Sequence, residues 1–193
     1  MKDERQRALV AITGASGSLY ALHVLAQLAR LGVEVHGIVS EAGRQVLALE
    51  TDREPASLAE VAVWHRVTDL AAAPASGSSR YAAMIVVPCS MGTLAAIAGG
   101  LSRNLIHRAA DVTLKERRPL VLAVRESPVG RIHLANMLAA HDAGAIICPA
   151  MPAFYHRPAS LDEMAGYFAG RLCELAGFPI PDLARWRGVD NGE

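Results

Sequence analysis

The feature that most constrains the fold is a series of short apolar runs separated by segments with helical periodicity. The clearest runs cover residues 9–12, 84–88 and 120–124, and weaker ones cover residues 33–39 and 145–147. A run with almost no polar residue is typical of a strand buried on both faces, as in a parallel sheet. Because these runs alternate with helices, the sequence predicts a doubly wound α/β domain with a mainly parallel sheet.

The segments between the runs carry helix signals. Leucines recur at every third position over residues 19–31, and Gly32 follows in the usual C-terminal place. Ser160 and Glu163 have the spacing of a capping box, which opens the last helix. The other predicted elements are helices over about 43–50, from 92, and over 104–116, 131–141 and 160–175, and a short strand near 61–67.

Composition excludes several classes of protein. The chain has 19 Lys and Arg residues and 19 Asp and Glu residues, so a strongly basic nucleic-acid coat and an acidic tail are excluded, whereas a local cationic pocket is not. No apolar run reaches the roughly 18–20 residues that a bilayer crossing needs, and the first run is too short for a signal peptide. At 193 residues, with no linker or internal repeat, the chain is predicted to form one domain.

Cysteine and histidine spacing argues against metal and disulfide frameworks. Cys89, Cys148 and Cys173 are odd in number and show no C-x-x-C spacing, which favours a reducing cytoplasm. The seven histidines lack an H-E-x-x-H motif, so no metal site is predicted. His107, His133 and His156 are therefore interpreted as structural or surface residues.

Three polar clusters follow the predicted strands, at the sheet edge where such folds bind ligands. The first, residues 13–17, has glycines that let a phosphate approach, and the next helix would offer free N–H groups. Ser16 and Ser18 take glycine places of a full G-x-G-x-x-G motif, so a mononucleotide fits better than a dinucleotide. A plain tight turn is the alternative.

The other two clusters have equally simple alternatives. Residues 88–93 offer two hydroxyls and several N–H groups, or ordinary helix capping by Ser90. Arg125 and Glu126 form either part of a site or an exposed salt bridge. Basic residues bunched between 103 and 131 suggest an anion site, although each alone could be a solvated cation. They are Arg103, Arg108, Lys115, Arg117, Arg118, Arg125 and Arg131, with Arg108 and Lys115 on one helix face.

Nine short motifs stand in order along the chain, from about Val10 to Trp186, nearly its whole length. They are residues 13–17, 88–94, 104–106, 108–112, 114–118, 125–128, 132–134, 136–138 and 149–155. Together they resemble the motifs of the flavin prenyltransferases of the UbiX type. The chain departs from that family at Ser127 and Val129, where members usually have Thr and Leu.

This resemblance implies a flavodoxin-like Rossmann fold that binds FMN and usually assembles as a dodecamer. The family's activity is transfer of a dimethylallyl group from dimethylallyl monophosphate to reduced FMN. The group bonds to flavin N5 and then to C6, and no metal is needed. The product, prenylated FMN, is the cofactor of a partner decarboxylase of the UbiD type. Members of the family were long described as decarboxylases.

The resemblance also implies roles for individual residues. Tyr155 and Arg171 resemble ligands of the donor phosphate, with Lys115 and Arg108 beside them, some of these from a neighbouring subunit. Trp186 matches an aromatic residue in a C-terminal tail, about residues 178–193, that covers the site. The FMN contacts would be Gly14, Ala15, Ser16, Ser40, Ser90, Met91, Gly92, Thr93 and Arg125.

Two acidic residues complete the implied site. Glu126 and Glu50 match its carboxylates, and Ser16 lies near the reacting flavin edge. The C6 proton needs a base, for which Glu126 and the released phosphate are both candidates.

Three other functions compete with the transferase. An FMN-dependent cysteine decarboxylase shares the fold, but carries an Asn-containing motif where this chain has residues 90–93. A non-enzymatic flavin carrier would have no use for Lys115, Tyr155 and Arg171. An NAD-dependent enzyme is disfavoured by the incomplete glycine motif.

Overall fold

Parallel strands form a single six-stranded sheet in the computed structural model, which describes residues 5–186 and 188. Helices cover both faces of this sheet, as the alternation of apolar runs and helical segments predicts. The strands are β1 (Arg7–Ile12), β2 (Glu34–Val39), β3 (Val61–His65), β4 (Ala83–Cys89), β5 (Leu120–Val124) and β6 (Ile146–Ile147). The helices are α1 (Ser18–Arg30), α2 (Glu41–Thr51), α3 (Met91–Ala98), α4 (Leu105–Lys115), α5 (Arg131–Asp142) and α6 (Leu161–Leu175).

The strand order, β3-β2-β1-β4-β5-β6, places a topological switch point between β1 and β4. The chain winds outwards from β1 to β3 and then returns across the sheet to start β4 beside β1. Thr13 holds the two strand ends together, because its hydroxyl donates to the Pro88 carbonyl at 2.7 Å and accepts from the Ser90 N–H at 2.8 Å. A crevice for a ligand is expected at this edge.

Side chains alternate between two core layers along each strand. Val10 of β1 faces a layer that includes Leu28 of α1 and Leu172 of α6. Its neighbour Leu9 faces the opposite layer with Leu105 of α4. Each layer is mostly apolar, which explains why the central strands β4 and β5, and β1 after Arg7, have uninterrupted apolar sequences.

Most helix boundaries agree with the prediction, but the start of α2 and the capping hydrogen bonds of α6 differ from it. α2 begins at Glu41, two residues earlier than predicted, because the Ser40 hydroxyl accepts from the Gly43 N–H at 2.9 Å and caps the helix. Ser160 caps α6 as predicted, but the Glu163 carboxylate accepts from the Ala159 N–H rather than from the Ser160 N–H.

Among the described residues, no helix is both long and apolar enough to cross a membrane.

Candidate active site

A cavity of about 370 Å³ opens at the carboxyl edge of the sheet, beside the switch point. It brings together Ser16, Glu50 and Arg125, three residues that sequence analysis assigned to the site. The Arg125 guanidinium donates through Nε to the Ser16 carbonyl at 3.2 Å, which joins the loop after β5 to the loop after β1. The complete lining is Ser16, Gly17, Leu19, Tyr20, Glu50, Arg125, Ala150, Leu161, Met164 and Ala165.

The carboxylate of Glu50 closes the N-terminus of α1. It accepts from the backbone N–H of Ser18 at 2.7 Å and from that of Gly17 at 3.0 Å. Burial raises the pKa of Glu50, but hydrogen bonds from Ser16, Ser18 and Gly17 together outweigh burial and lower this pKa below its ordinary value. Glu50 is therefore an ionised group at neutral pH, held against the cavity wall.

This arrangement corrects one expectation about the first cluster. The α1 N–H groups of Gly17 and Ser18 are not free to bind a phosphate, because Glu50 already accepts from them. The N–H groups of Gly14, Ala15 and Ser16, by contrast, donate to no acceptor within the described chain. The donors available to a ligand lie in the loop itself.

The second cluster follows β4 and begins α3. The Ser90 hydroxyl accepts from the Thr93 N–H at 3.3 Å and donates to the Thr93 hydroxyl at 3.1 Å, so helix capping is confirmed for Ser90. A Cβ added at Gly92 would meet nothing within 4 Å, so open space lies over this first turn of the helix. Capping and ligand binding are compatible here, since the helix start faces open space and carries a partial positive charge.

A second group of site residues gathers on α6, the loop before it and the tail. Tyr155 and Tyr167 share a hydrogen bond between their hydroxyl groups, and the Tyr155 ring centroid lies 5.5 Å from that of Trp186. Burial, together with the bonded Tyr155, raises the pKa of Tyr167 to about 12, while Arg171 acts in the opposite direction. Tyr155, Arg171 and Trp186 therefore lie in one cluster, which we call the α6 cluster.

Within one chain, neither Lys115 nor Arg108 lies at the cavity or in the α6 cluster. Lys115 is the last residue of α4, which leads to the amino end of β5, whereas Arg125 follows the carboxyl end of that strand. The Lys115 side chain forms an ion pair with Glu116. Arg108, about 10 Å away along the helix axis, pairs with Asp111 at 2.6 Å and donates to the Ala75 carbonyl.

The bunched basic residues do not form one anion site in a single chain. Arg118 donates to the Ser79 and Gly77 carbonyls, which fixes the turn before β4. It lines a different cavity, of about 690 Å³, at the amino edge of the sheet with Arg5, Arg7 and Arg80. Sequence proximity was misleading because α4 ends at the amino edge of the sheet, where Arg118 lies, whereas β5 ends at the carboxyl edge, where Arg125 lies.

The remaining predicted residues have simple local environments. Glu126 is exposed, and its carboxylate accepts from the Ser127 N–H at 3.0 Å. The ring of His133 accepts from the Gly130 N–H at 3.1 Å, whereas His156 stacks on Tyr167 with ring centroids 4.0 Å apart. No group of three or more His, Cys, Asp or Glu side chains in the described chain is arranged to hold a metal ion.

Tyr167 and Glu174, which organise the α6 cluster, were not predicted as site residues. Glu174 forms ion pairs with both Arg171 and Arg185. The spacing of Tyr167 and Glu174 from Arg171 could have indicated this cluster. Tyr167 lies four residues before Arg171 and Glu174 three residues after it, which places all three on one helix face.

Comparisons with known proteins agree with this geometry. A family model described as Flavoprotein matches residues 1–166. Flavin prenyltransferase UbiX from Deinococcus radiodurans is 51% identical over 182 residues, which cover 94% of this chain and 93% of that protein. The chain belongs to the UbiX-type flavin prenyltransferases. The resemblance drawn from its motifs is thereby confirmed.

Solved structures of UbiX-type proteins share the whole fold. The crystal structure of AnUbiX (PadA1) in complex with FMN and dimethylallyl pyrophosphate matches 97% of this chain and 100% of its own, with a TM-score of 0.94 and 45% identity. A dodecameric FMN-dependent UbiX-like decarboxylase from Escherichia coli O157:H7 matches with a TM-score of 0.91 and 39% identity, over 95% of this chain and 100% of its own.

More distant flavoproteins share only the architecture. The FMN-dependent cysteine decarboxylase TvaF matches 75% of this chain and 90% of its own, with a TM-score of 0.59 and 19% identity. A likeness at that identity shows the fold and nothing about the reaction. The competing cysteine decarboxylase function has no support beyond this shared fold.

Proposed function

We propose that this UbiX-type chain transfers a dimethylallyl group from dimethylallyl monophosphate to reduced FMN and so makes prenylated FMN. The observation that carries the proposal is the match to the AnUbiX complex, which contains both FMN and dimethylallyl pyrophosphate. That match extends over 97% of this chain.

The carboxyl edge of the sheet fits a flavin mononucleotide. We assign FMN to the loop N–H groups of Gly14, Ala15 and Ser16, the open start of α3, and Arg125. The free N–H groups and the open space over Gly92 support this assignment. An anion at the starts of α2 and α3 would be stabilised by their dipoles. The proposed FMN contacts are Gly14, Ala15, Ser16, Ser40, Ser90, Met91, Gly92, Thr93 and Arg125.

We assign the donor phosphate to the α6 cluster. Breaking the allylic C–O bond produces a cation and a phosphate leaving group, and charged donors stabilise that phosphate as it departs. Arg171 supplies a charged donor, and the Tyr155 hydroxyl supplies a neutral one. The aromatic face of Trp186 suits an allyl cation, because it attracts positive charge without capturing it. A closed site keeps out water that would otherwise quench the cation.

Reduced FMN, when bound, supplies the nucleophilic N5 atom and the C6 position at which the new ring closes. The chain's own residues bind and orient the two substrates. Ser16 and the ionised Glu50 both line the cavity, and we assign the reacting flavin edge to their side of it. Glu126 is one candidate base for the C6 proton, and the released phosphate is the other.

Neighbouring subunits would complete the site with Lys115 or Arg108, which lie away from the two groups in one chain. Exposed apolar side chains on α5 support such an assembly. Ile132, Leu134 and Leu138 are 74%, 54% and 61% exposed, although soluble proteins rarely leave so many large apolar residues on one helix. We propose a homododecamer, as described for the relative from E. coli O157:H7.

The product would pass to a UbiD-type decarboxylase, and neither nucleic acid nor membrane is part of the function. The whole chain, residues 1–193, would form one functional domain whose tail from about residue 178 covers the site. Residues 187 and 189–193 of that tail lie outside the described chain. Three free cysteines are compatible with a reducing cytoplasm.

Release of inorganic phosphate from dimethylallyl monophosphate tests the proposal. Under anaerobic conditions, the protein should release phosphate with reduced FMN and none with oxidised FMN or without flavin. Phosphate release that does not depend on flavin would indicate a phosphatase instead.

Two substitutions test the residue assignments. Glu126→Gln and Lys115→Ala should retain FMN binding but turn over slowly, because each removes a charged group from the reaction rather than from the flavin site. The matched control is Arg30→Gln, at the exposed end of α1. Loss of FMN binding in both variants would show that their roles are mistaken.

A further inference from the structure

The carboxylate of Glu174 is shared by two arginines. One oxygen pairs with Arg171 on the same helix, and the other accepts from Arg185 of the tail at 2.5 Å. The Glu174 side chain is only 11% exposed, whereas those of Arg171 and Arg185 are 44% and 64% exposed. A carboxylate withdrawn from water in this way needs at least one guanidinium partner.

This shared carboxylate connects the tail to the α6 cluster. Leu183 of the tail packs onto α6 at Gly170, where an added Cβ would lie 2.6 Å from Leu183 Cδ1. Arg185 follows two residues later, and the next residue, Trp186, lies against Tyr155. Glu174 is the one acidic residue of the described chain that forms ion pairs with both α6 and the tail.

We propose that Glu174 is a positioning residue that couples binding of the donor phosphate to closure of the tail. The inference rests on the proposed function, because it takes Arg171 as a ligand of that phosphate. Without donor, Glu174 divides its carboxylate between two guanidiniums. When a phosphate binds Arg171, the carboxylate pairs with Arg185 alone and holds Trp186 over the site.

The charges set the sign of each effect. Glu174 partly neutralises Arg171 and repels an incoming phosphate, so it weakens phosphate binding. The same carboxylate strengthens attachment of the tail through Arg185. Removal of the carboxylate should therefore tighten phosphate binding and loosen the tail, two changes of opposite direction. A general loosening of the structure would weaken both.

The experiment needs no catalytic turnover. Trp186 fluorescence is measured in a Trp64→Phe background, with acrylamide as quencher, and inorganic phosphate is titrated as the probe. Glu174→Gln should make Trp186 more readily quenched and should bind phosphate roughly two- to fivefold more tightly, the range of a partly exposed ion pair. The matched control is Asp162→Asn, on the same helix as Glu174. It alters a contact of Asp162 with the His23 ring of α1 and should change neither quantity.

A second variant guards against a folding defect in the first. Arg185→Gln leaves Glu174 paired with Arg171 alone, so Trp186 should again be more readily quenched while phosphate binds more weakly. Unchanged quenching in Glu174→Gln, or weaker phosphate binding by that variant, would overturn the inference. Because these results do not depend on prenyl transfer, they are distinguishable from a failure of the proposed function.

Discussion

The carboxylate of Glu50 lies 2.7 Å from the backbone N–H of Ser18, although the two residues are 32 positions apart in the sequence. This contact joins the last turn of α2 to the first turn of α1 at the wall of the candidate active site. Glu50 therefore has two effects, since it caps a helix and places a negative charge beside the proposed flavin edge.

Replacement of Glu50 by glutamine should lower the free energy of unfolding by about 1 kcal/mol at neutral pH, because a charged acceptor at a helix N-terminus is lost. The pKa of Glu50 lies below its ordinary value of 4.5. Its contribution is therefore complete above pH 4.5 and is lost as the pH falls through the lowered pKa. Urea unfolding at one protein concentration, over a pH series, measures this difference.

The control for this prediction is Glu60→Gln. Glu60 is exposed on the loop before β3, so its replacement should change stability by less than about 0.5 kcal/mol. A difference between wild type and Glu50→Gln that stayed constant down to pH 3 would contradict the assigned role.

Gly14→Ala should destabilise the protein by about 1–3 kcal/mol. An added Cβ would lie 2.5 Å from the Cβ of Ala42, closer than real carbon atoms approach. Thermal unfolding of the variant checks this, and the Ala42→Gly change combined with it should restore part of the loss. Additive losses in the double variant would show that the two residues do not interact.

Gly92→Ala provides the contrasting case. Open space surrounds this position, so stability should stay unchanged or rise by about 0.4–1 kcal/mol. FMN affinity, measured by flavin fluorescence, should nevertheless fall, because the added methyl group would occupy space assigned to the ligand. Full FMN affinity in this variant would place the flavin elsewhere.

The thiols should be nearly inert in the native protein. Burial raises the pKa of Cys89 and of Cys173 to about 12, and also raises that of Cys148, so few thiolates exist at pH 8. Iodoacetamide should label at most Cys148, the least buried of the three, and all three in urea, as counted by mass spectrometry. Rapid labelling of native Cys89 would contradict the described core.

The sheet was predictable because a strand buried on both faces has an uninterrupted apolar sequence. All six strands lie at or near predicted positions, and even β3 begins at the predicted Val61. Ser90 and Ser160 identified helix starts because capping depends on residues only three positions apart.

The site was less predictable because its contacts are remote in sequence. No local pattern could show that Glu50 would occupy the N-terminus of α1. The displacement of Lys115 from Arg125 follows instead from the direction of β5, which separates the two ends by about 16 Å. The resemblance supplied residue identities, whereas the structure shows which residues meet within one chain.

The mass of the flavin product tests the central claim most directly. Anaerobic protein is incubated with reduced FMN and dimethylallyl monophosphate, and the flavin is then extracted for mass spectrometry. Prenyl transfer predicts a flavin heavier by one five-carbon prenyl unit, with consumption of the donor. A flavin of unchanged mass beside intact donor would contradict the assignment.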